Sequence, residues 1–377
     1  MAFRKIPAIG SSDGQTVVFT KRFMVGGLVE YVGVFVQMLV NACWEEHKLL
    51  SAPANCGINN SYAFDLSSDG NTILIGVENA KAGPLKKAGQ VYVFSRVNTT
   101  WVQQTVITDS DDSAGGWFGI SVSLSADGHT ALIGAGSKDV GDTFNAGAAY
   151  VFTRTNAVWQ QQAILTARDR ASFDCFGWMV NLSGDGRTAI VGAHNKKIEN
   201  AKQVGGAYIF TQSEGAWAEQ AILTSGDTTQ AYWFGYSASL SEDGHTALVG
   251  AYNEVTRRGE AYVFIRVEQA WIKYAYLDPC DSIVEDYFSG NVRLSASGTM
   301  AVIGTYSEAT CVALVHVYTR SNGTWSECAT LNPRDSVSSC YLGRSVRLSG
   351  NGQATSLGEN WTTLDDLLQA GQAYIFS

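Results

Sequence analysis

The sequence lacks the features of several large protein classes. Only 16% of its 377 residues are charged, only five are Pro, and no segment carries a sustained helical period of apolar residues. Because 45% of the residues are hydrophobic, a disordered chain is excluded as well. The formal net charge of -9 gives no basic face, so neither nucleic acid nor an anionic membrane surface is an expected partner.

Motifs for metal binding and catalysis are also missing. The seven Cys are odd in number and irregularly spaced, and without a C-x-x-C pair they predict neither a zinc site nor a redox site. The five His are scattered, and no G-x-S-x-G, H-E-x-x-H or phosphate-binding loop occurs. We therefore predict no cofactor and no catalytic residue, although a site assembled from distant parts of the chain would leave no local motif.

Long hydrophobic runs are equally scarce. The run that most resembles a membrane span, Met24–Val40, has 17 residues and carries Glu30 in its middle, so we predict a β-strand with its preceding loop and no membrane span. The first ten residues, MAFRKIPAIG, lack the apolar segment of a signal peptide. We therefore expect a cytoplasmic or non-classically exported chain.

One short sequence motif, in contrast, recurs along the chain. The stretch SLSADGHTALIGA, which begins at Ser123, recurs as SLSEDGHTALVGA from Ser239. Its Asp-Gly pair, or a degenerate form of it, begins at positions 13, 69, 127, 185, 243, 297 and 351. A Trp recurs with nearly the same period, at positions 44, 101, 159, 217, 271 and 325. Two independent markers with one period indicate a chain built of repeats.

Each repeat contains four strand signals. In the third repeat, FGISVSLS and TALIGA flank Asp127-Gly128, which predicts a two-residue type I′ hairpin turn, and AAYVFTR and WQQQAILTA follow. Such sheets bury both faces when they pack around a common axis. We therefore predict an all-β, seven-bladed β-propeller of four-stranded antiparallel blades, in which the last blade has three strands unless the N-terminal stretch completes it. The chain is predicted to be one domain, 1–377, with repeats at approximately 3–59, 60–117, 118–175, 176–233, 234–287, 288–340 and 341–377.

The repeat resembles the FG-GAP repeat, which builds the β-propeller head of integrin α subunits. The FG pairs are Phe118-Gly119, Phe176-Gly177 and Phe234-Gly235. The GA pairs are Gly134-Ala135, Gly192-Ala193 and Gly250-Ala251. The resemblance covers essentially the whole chain, with the third to fifth repeats matching best. It implies a propeller, similar in architecture to WD40 proteins, that is used for binding and usually binds protein partners.

The chain departs from the integrin pattern at the calcium loop. Integrin-type repeats can bind Ca²⁺ through a D-x-D-x-D-G run between the first two strands, whereas this chain has SADGH or SEDGH there. A Ca²⁺ ion requires six to eight oxygen ligands, which one Asp in a tight turn does not supply. We therefore predict no bound calcium.

The variable loops are the predicted place of function. The loops from the second to the third strand, and from the fourth strand to the next repeat, share one face of a propeller and differ in every repeat. The aromatic residues among the candidates are hot spots for a protein partner, platforms that stack on sugars, or filler between blades. The partner-binding candidates are Trp117, Trp233, Tyr287, Lys138, Asp139, Lys196, Lys197, Arg257 and Arg258.

A carboxylate also repeats on this face, ten residues after five of the six repeated Trp. We interpret it as a structural turn residue that accepts backbone N–H bonds, in preference to a ring of carboxylates that binds cations. Its members are Asp111, Asp169, Asp227, Asp281 and Asp335.

These patterns predict a non-enzymatic binding module that recognises a protein partner through the variable loop face. A monomer is favoured. A glycan-binding, lectin-type propeller is the alternative, and a hydrolase with a site built from several blades is the third interpretation.

Overall fold

A computed structural model describes most of the chain. The described residues are 8–10, 16–25, 28–40, 43–51, 62–80, 88–110, 115–197, 203–226, 233–253, 259–278, 288, 290–306, 313–331, 345–348, 355–364 and 367–376. Within these ranges the regular structure is entirely β, and no helix is long and apolar enough to cross a membrane. The all-β class predicted from the repeats is therefore confirmed for the part of the chain that the structure describes.

The strands recur in four positions. First strands are β1 (Ala8–Gly10), β5 (Tyr62–Leu66), β9 (Phe118–Leu124), β13 (Met179–Leu182), β17 (Ser237–Leu240), β21 (Asn291–Leu294) and β25 (Ser345–Leu348). Second strands are β2 (Thr16–Val25), β6 (Thr72–Val77), β10 (Thr130–Ala135), β14 (Thr188–Ala193), β18 (Thr246–Tyr252), β22 (Met300–Tyr306) and β26 (Thr355–Leu364). Third strands are β3 (Leu28–Val40), β7 (Gln90–Val97), β11 (Ala148–Thr155), β15 (Gly206–Ser213), β19 (Gly259–Val267), β23 (Ala313–Ser321) and β27 (Leu367–Phe376). Fourth strands are β4 (Cys43–Ser51), β8 (Thr100–Ile107), β12 (Val158–Leu165), β16 (Ala216–Leu223), β20 (Ala270–Leu277) and β24 (Thr324–Leu331).

Each group of consecutive strands forms an antiparallel meander sheet. The described sheets have four strands each, except the sheet of β25, β26 and β27, which has three. The first strand of each sheet contacts the first strand of the next, and β25 in turn contacts β1. The first strands therefore lie innermost, and the repeated sheets have the arrangement of a β-propeller. The run Met24–Val40 supplies the end of β2 and all of β3, as strand and not as a membrane helix.

The Asp-Gly turn closes differently from the prediction. A type I′ turn has positive φ at both central residues, but in the third repeat only Gly128 has one, of 66°. The Gly128 N–H donates to the Ser125 carbonyl oxygen at 2.9 Å, and the Ser125 hydroxyl donates to the Asp127 carboxylate at 2.6 Å. The same hydroxyl accepts the N–H of Thr130 at 2.9 Å. The two-residue type I′ prediction is therefore wrong, because the Ser and Asp side chains stabilise a longer loop that needs only one left-handed residue.

Aromatic side chains fill the core between neighbouring sheets. Phe176 is fully buried and lies edge-on to Tyr208 and Phe210 of β15, with ring centroids 5.3 and 5.9 Å apart. Phe118 makes the same contacts with Tyr150 and Phe152 of β11, at 5.3 and 6.3 Å. The Phe of the FG pair and the two aromatics of the third strand thus form one packing unit, which repeats with the sequence.

The repeated turn phrase also joins neighbouring sheets. The residue before the turn Asp donates its backbone N–H to the carbonyl oxygen of the equivalent residue in the next sheet, at 2.8 to 3.0 Å. These donor–acceptor pairs are Ser68 to Ala126, Ala126 to Gly184, Gly184 to Glu242, and Glu242 to Ala296. The turn motif therefore recurs in part because its backbone in each sheet hydrogen-bonds to the equivalent backbone of the next sheet.

A second set of bonds satisfies the inner edge of the first strands. An edge strand presents unpaired N–H groups, and a polar side chain of the preceding sheet accepts one of them here. Asp65 accepts from Leu124 at 2.7 Å, and Asn181 accepts from Leu240 at 2.7 Å. Ser123 and Ser239 make the matching bonds to the next sheets at 3.1 Å. The polar residue before Leu-Ser is thus an edge-capping group in four of the repeats, as Asp65, Ser123, Asn181 and Ser239.

Candidate functional site

The FG pair forms a tight turn on the face that carries the long loops. In the fourth repeat, the Trp178 N–H donates to the Cys175 carbonyl oxygen at 3.1 Å, which closes a four-residue turn around Phe176 and Gly177. Gly177 has a φ of 88°, as the third position of a type II turn requires, and its N–H donates to Gly192 at 3.0 Å. A Cβ on Gly177 would overlap the neighbouring backbone, so Gly is needed there for two reasons. The turn fixes the residues on either side of FG.

Three positions around these turns vary between repeats. They are the residue before FG, the residue after FG and the residue after GA, and all lie at the loop-face ends of the first two strands. Around the FG pairs that begin at Phe118, Phe176 and Phe234 they read Trp117, Ile120 and Gly136; Cys175, Trp178 and His194; and Trp233, Tyr236 and Tyr252. Six of these nine side chains are rings in mutual contact, and we call them the aromatic cluster: Trp117, Trp178, His194, Trp233, Tyr236 and Tyr252.

His194 lies at the centre of the aromatic cluster. Its ring centroid is 4.7 Å from that of Trp178, and 5.6 Å from those of both Trp233 and Tyr236. Trp233 stacks on Tyr236 at 5.7 Å with an interplanar angle of 29°, and Trp117 extends the cluster to Trp178 at 6.1 Å. Rings from beside two consecutive FG pairs thus surround one imidazole, and Trp117 from a third lies against Trp178.

The imidazole of His194 carries an unsatisfied polar atom. The side chain is 5% exposed, and its Nδ1 has no hydrogen-bond partner among the described residues. Burial lowers the pKa of His194 from 6.5 to about 3, so the imidazole is neutral at physiological pH. A buried polar nitrogen without a partner is costly in an unliganded protein. A ligand hydroxyl or a water molecule would satisfy it.

Two of the predicted partner-binding lysines are instead buried in ion pairs. Lys138 is 6% exposed, and its Nζ lies 2.9 Å from the carboxylate of Asp109. Lys196 is 5% exposed, with its Nζ 3.2 Å from Asp174 and 3.1 Å from Asp169. Their interpretation as partner contacts is corrected by this geometry, because a lysine enclosed with its counter-ion is not available to a partner.

Asp169 stabilises the contact between two sheets. Its carboxylate accepts a 2.7 Å hydrogen bond from the Tyr208 hydroxyl, and its carbonyl oxygen accepts from Lys196 at 2.6 Å. Burial and this bond to Asp169 raise the pKa of Tyr208 above its ordinary value. Asp169 therefore contacts side chains of the next sheet, whereas the prediction had such carboxylates accept backbone N–H groups. The other four repeated carboxylates, Asp111, Asp227, Asp281 and Asp335, lie outside the described residues.

The remaining candidates are divided between the described and the undescribed parts of the chain. Trp117 and Trp233 are half-buried members of the aromatic cluster. Asp139 and Lys197 are exposed, and the carboxylate of Asp139 accepts the N–H of Asn145 at 2.7 Å. Tyr287, Arg257 and Arg258 lie outside the described residues. Within the described ranges, no three His, Cys, Asp or Glu side chains are grouped so that they could hold a metal ion.

Four members of the aromatic cluster were missed at the sequence level: Trp178, His194, Tyr236 and Tyr252. The signal was present, because the residues after FG and after GA change between repeats whose neighbouring positions are nearly constant. Aligning the repeats and asking where they differ would have found these positions.

Comparisons with known proteins agree on the fold. Three segments, residues 101–152, 159–210 and 217–264, match the family described as FG-GAP repeat. A periplasmic gluconolactonase from Pseudomonas aeruginosa is similar in structure, with a TM-score of 0.57 and 14% identity over 87% of this chain and 85% of that one. A putative 6-phosphogluconolactonase from Bacteroides fragilis has a TM-score of 0.54 and 11% identity, covering 96% of this chain and 98% of that one.

A further similar structure is that of the RRP9 WD40 repeats, with a TM-score of 0.54 and 10% identity over 98% of this chain and 94% of that one. The comparison with curated protein sequences gave no significant match. At these identities the structural likeness shows the fold alone.

The comparisons contradict the predicted function. A non-enzymatic module that recognises a protein partner was expected, but similar propellers include two with lactonase names, and lactonases are hydrolases. That prediction, which was inferred from a propeller with variable loops, is therefore wrong. The predicted repeat type is confirmed for residues 101–264, which match FG-GAP repeats, and the predicted β-propeller fold is supported by the similar structures.

Proposed function

We propose that the sheets form one closed, seven-bladed propeller and a single domain, whose loop face holds a small-molecule site at the aromatic cluster. The contact between β25 and β1 supports closure, and the three-stranded last sheet supports the assignment of β1 to the first blade. Ring contacts run from Trp117 through Trp178 and His194 to Trp233, and they support a site on the loop face because they join side chains beside three consecutive FG pairs.

The proposed activity is hydrolysis of a sugar-derived lactone. Its main support is the unsatisfied Nδ1 of His194, which is enclosed by Trp178, Trp233 and Tyr236. Aromatic rings stack on the apolar face of a sugar ring, and a neutral imidazole exchanges hydrogen bonds with hydroxyl groups or water. The lactonase names of two similar propellers support the reaction class, and this proposal reverses the expectation of a non-enzymatic chain.

Hydrolysis of a lactone needs little from the site beyond orienting the lactone and the attacking water. The hydroxyl of a water molecule joins the lactone carbonyl carbon, and the ring C–O bond breaks. The second hydrogen of the water ends on the released ring oxygen, which leaves a hydroxy acid. The proposed role of the aromatic cluster is to hold the sugar ring, with Nδ1 of His194 bonding a ligand hydroxyl or the attacking water. No cofactor enters this step, and the absence of a cofactor stays a prediction.

A turnover assay with two Trp variants tests the proposal. We expect the protein to hydrolyse glucono-1,5-lactone faster than the spontaneous reaction, as followed by acid release in a pH-stat. Trp178→Ala should lower kcat/KM by about tenfold or more, because it removes a stacking surface; for comparison, the stacking of a nucleobase on an aromatic side chain is worth about 1–3 kcal/mol. Trp217→Ala is the matched control, since this half-buried Trp lies on the outer strand β16 and should leave turnover within about twofold.

Two results would contradict the proposal. One is wild-type protein that adds nothing to the spontaneous rate for any sugar lactone. The other is equal loss of activity in folded Trp178→Ala and Trp217→Ala protein, which would mean that the aromatic cluster is not the site.

A further inference from the structure

The surroundings of His194 restrict the charge of the ligand. Within the described chain, the ring contacts of His194, Trp178 and Trp233 are with other aromatic side chains, and the cation–π contacts of Lys and Arg lie on other rings. The imidazole is itself uncharged at neutral pH, because burial lowers the pKa of His194 to about 3. These surfaces therefore offer rings and one neutral nitrogen to a ligand.

The nearby buried lysines do not add an available positive charge to these surfaces. Lys138 follows β10 and Lys196 follows β14, so each lies three residues beyond the end of a strand that reaches the loop face. Each lysine is already neutralised, Lys138 by Asp109 at 2.9 Å and Lys196 by Asp174 at 3.2 Å. Freeing either lysine for a ligand would leave a buried carboxylate unpaired, which is strongly unfavourable.

We infer that the ligand is an uncharged, unphosphorylated sugar derivative, and that Nδ1 of His194 bonds one of its hydroxyl groups. This inference rests on the proposed function and narrows its substrate class. A phosphate group carries nearly two negative charges at neutral pH and binds where Arg, Lys or several N–H groups converge. Placing it among Trp178, His194 and Trp233 would remove it from water without compensation.

The test compares two substrates that differ only by the phosphate. We expect kcat/KM for glucono-1,5-lactone to exceed that for its 6-phosphate by about 100-fold or more. KM for the unphosphorylated lactone should stay constant between pH 5.5 and 7.5, because His194 does not titrate there. His194→Phe should raise KM about tenfold, and His194→Gln, which keeps a hydrogen-bonding side chain, should recover part of the loss.

Control variants and opposing outcomes make the test decisive. His245→Gln is the control, because that imidazole is exposed in the Asp-Gly turn on the opposite face and should leave both substrates unaffected. Equal or faster turnover of the 6-phosphate would overturn the charge inference and leave the lactonase proposal standing. Turnover of neither lactone would overturn the proposed function itself. An unchanged KM in folded His194→Phe protein would remove His194 from the site.

Discussion

Replacing Lys196 by Met is expected to lower the free energy of unfolding by about 3–5 kcal/mol. The Lys196 ammonium is enclosed with the carboxylate of Asp174, whose side chain is 2% exposed, and it also bonds the carbonyl oxygen of Asp169. Met fills a similar volume but leaves Asp174 charged, buried and without its cation. The destabilisation therefore comes more from leaving the Asp174 carboxylate unpaired than from losing the lysine side chain.

Chemical denaturation of three variants measures this effect. Lys197→Met is the matched control, because the adjacent lysine is exposed and its replacement should change stability by less than about 0.5 kcal/mol. Adding Asp174→Asn to Lys196→Met should restore at least about 1 kcal/mol, since the unpaired charge is removed. Equal stability of Lys196→Met and wild type would show that the pair is solvated and not part of the interface between sheets.

Replacing Phe176 by Ala should lower the free energy of unfolding by a similar amount, about 3–5 kcal/mol. Phe176 is fully buried and packs edge-on against Tyr208 and Phe210. Its removal loses both the burial of the ring and the contacts around it, and it leaves a cavity in the core between the sheets. The measurement is again the midpoint and slope of denaturant unfolding.

A second Phe three residues earlier provides the control for Phe176. Phe173 is 54% exposed and touches Phe144, which is 53% exposed, with ring centroids 5.3 Å apart. Phe173→Ala removes the same atoms from a surface contact and should cost less than about 1 kcal/mol. Comparable losses from the two variants would mean that the FG ring is not the packing centre of the repeat.

The architecture was predictable because it depends on local sequence motifs that repeat along the chain. A period shared by the Asp-Gly pair and the outer Trp indicates equal modules, and the aromatics of FG and AYVF fill one core between sheets. The exact turn was less predictable. Asp-Gly pairs favour a type I′ turn in isolation, but the Ser125 hydroxyl bonds both Asp127 and Thr130 and selects a longer loop.

The site was harder to predict because its chemistry depends on neighbours far apart in the chain. Lys138 looks like a solvated loop charge until Asp109, 29 residues earlier, is found beside it. His194 looks like one scattered His until Trp178, Trp233 and Tyr236 surround it. Of the aromatics that the sequence singled out before FG, Trp117 and Trp233 lie in the aromatic cluster, and their part in binding stays a prediction.

The most direct measurement for this account is the position of a bound sugar derivative in a crystal structure. The protein would be crystallised with gluconate or an unreactive analogue of glucono-1,5-lactone at saturating concentration. We predict the sugar ring against Trp178 and Trp233, with one hydroxyl about 3 Å from Nδ1 of His194. A ligand seated instead on the face of the Asp-Gly turns, or on the outer strands, would contradict the account.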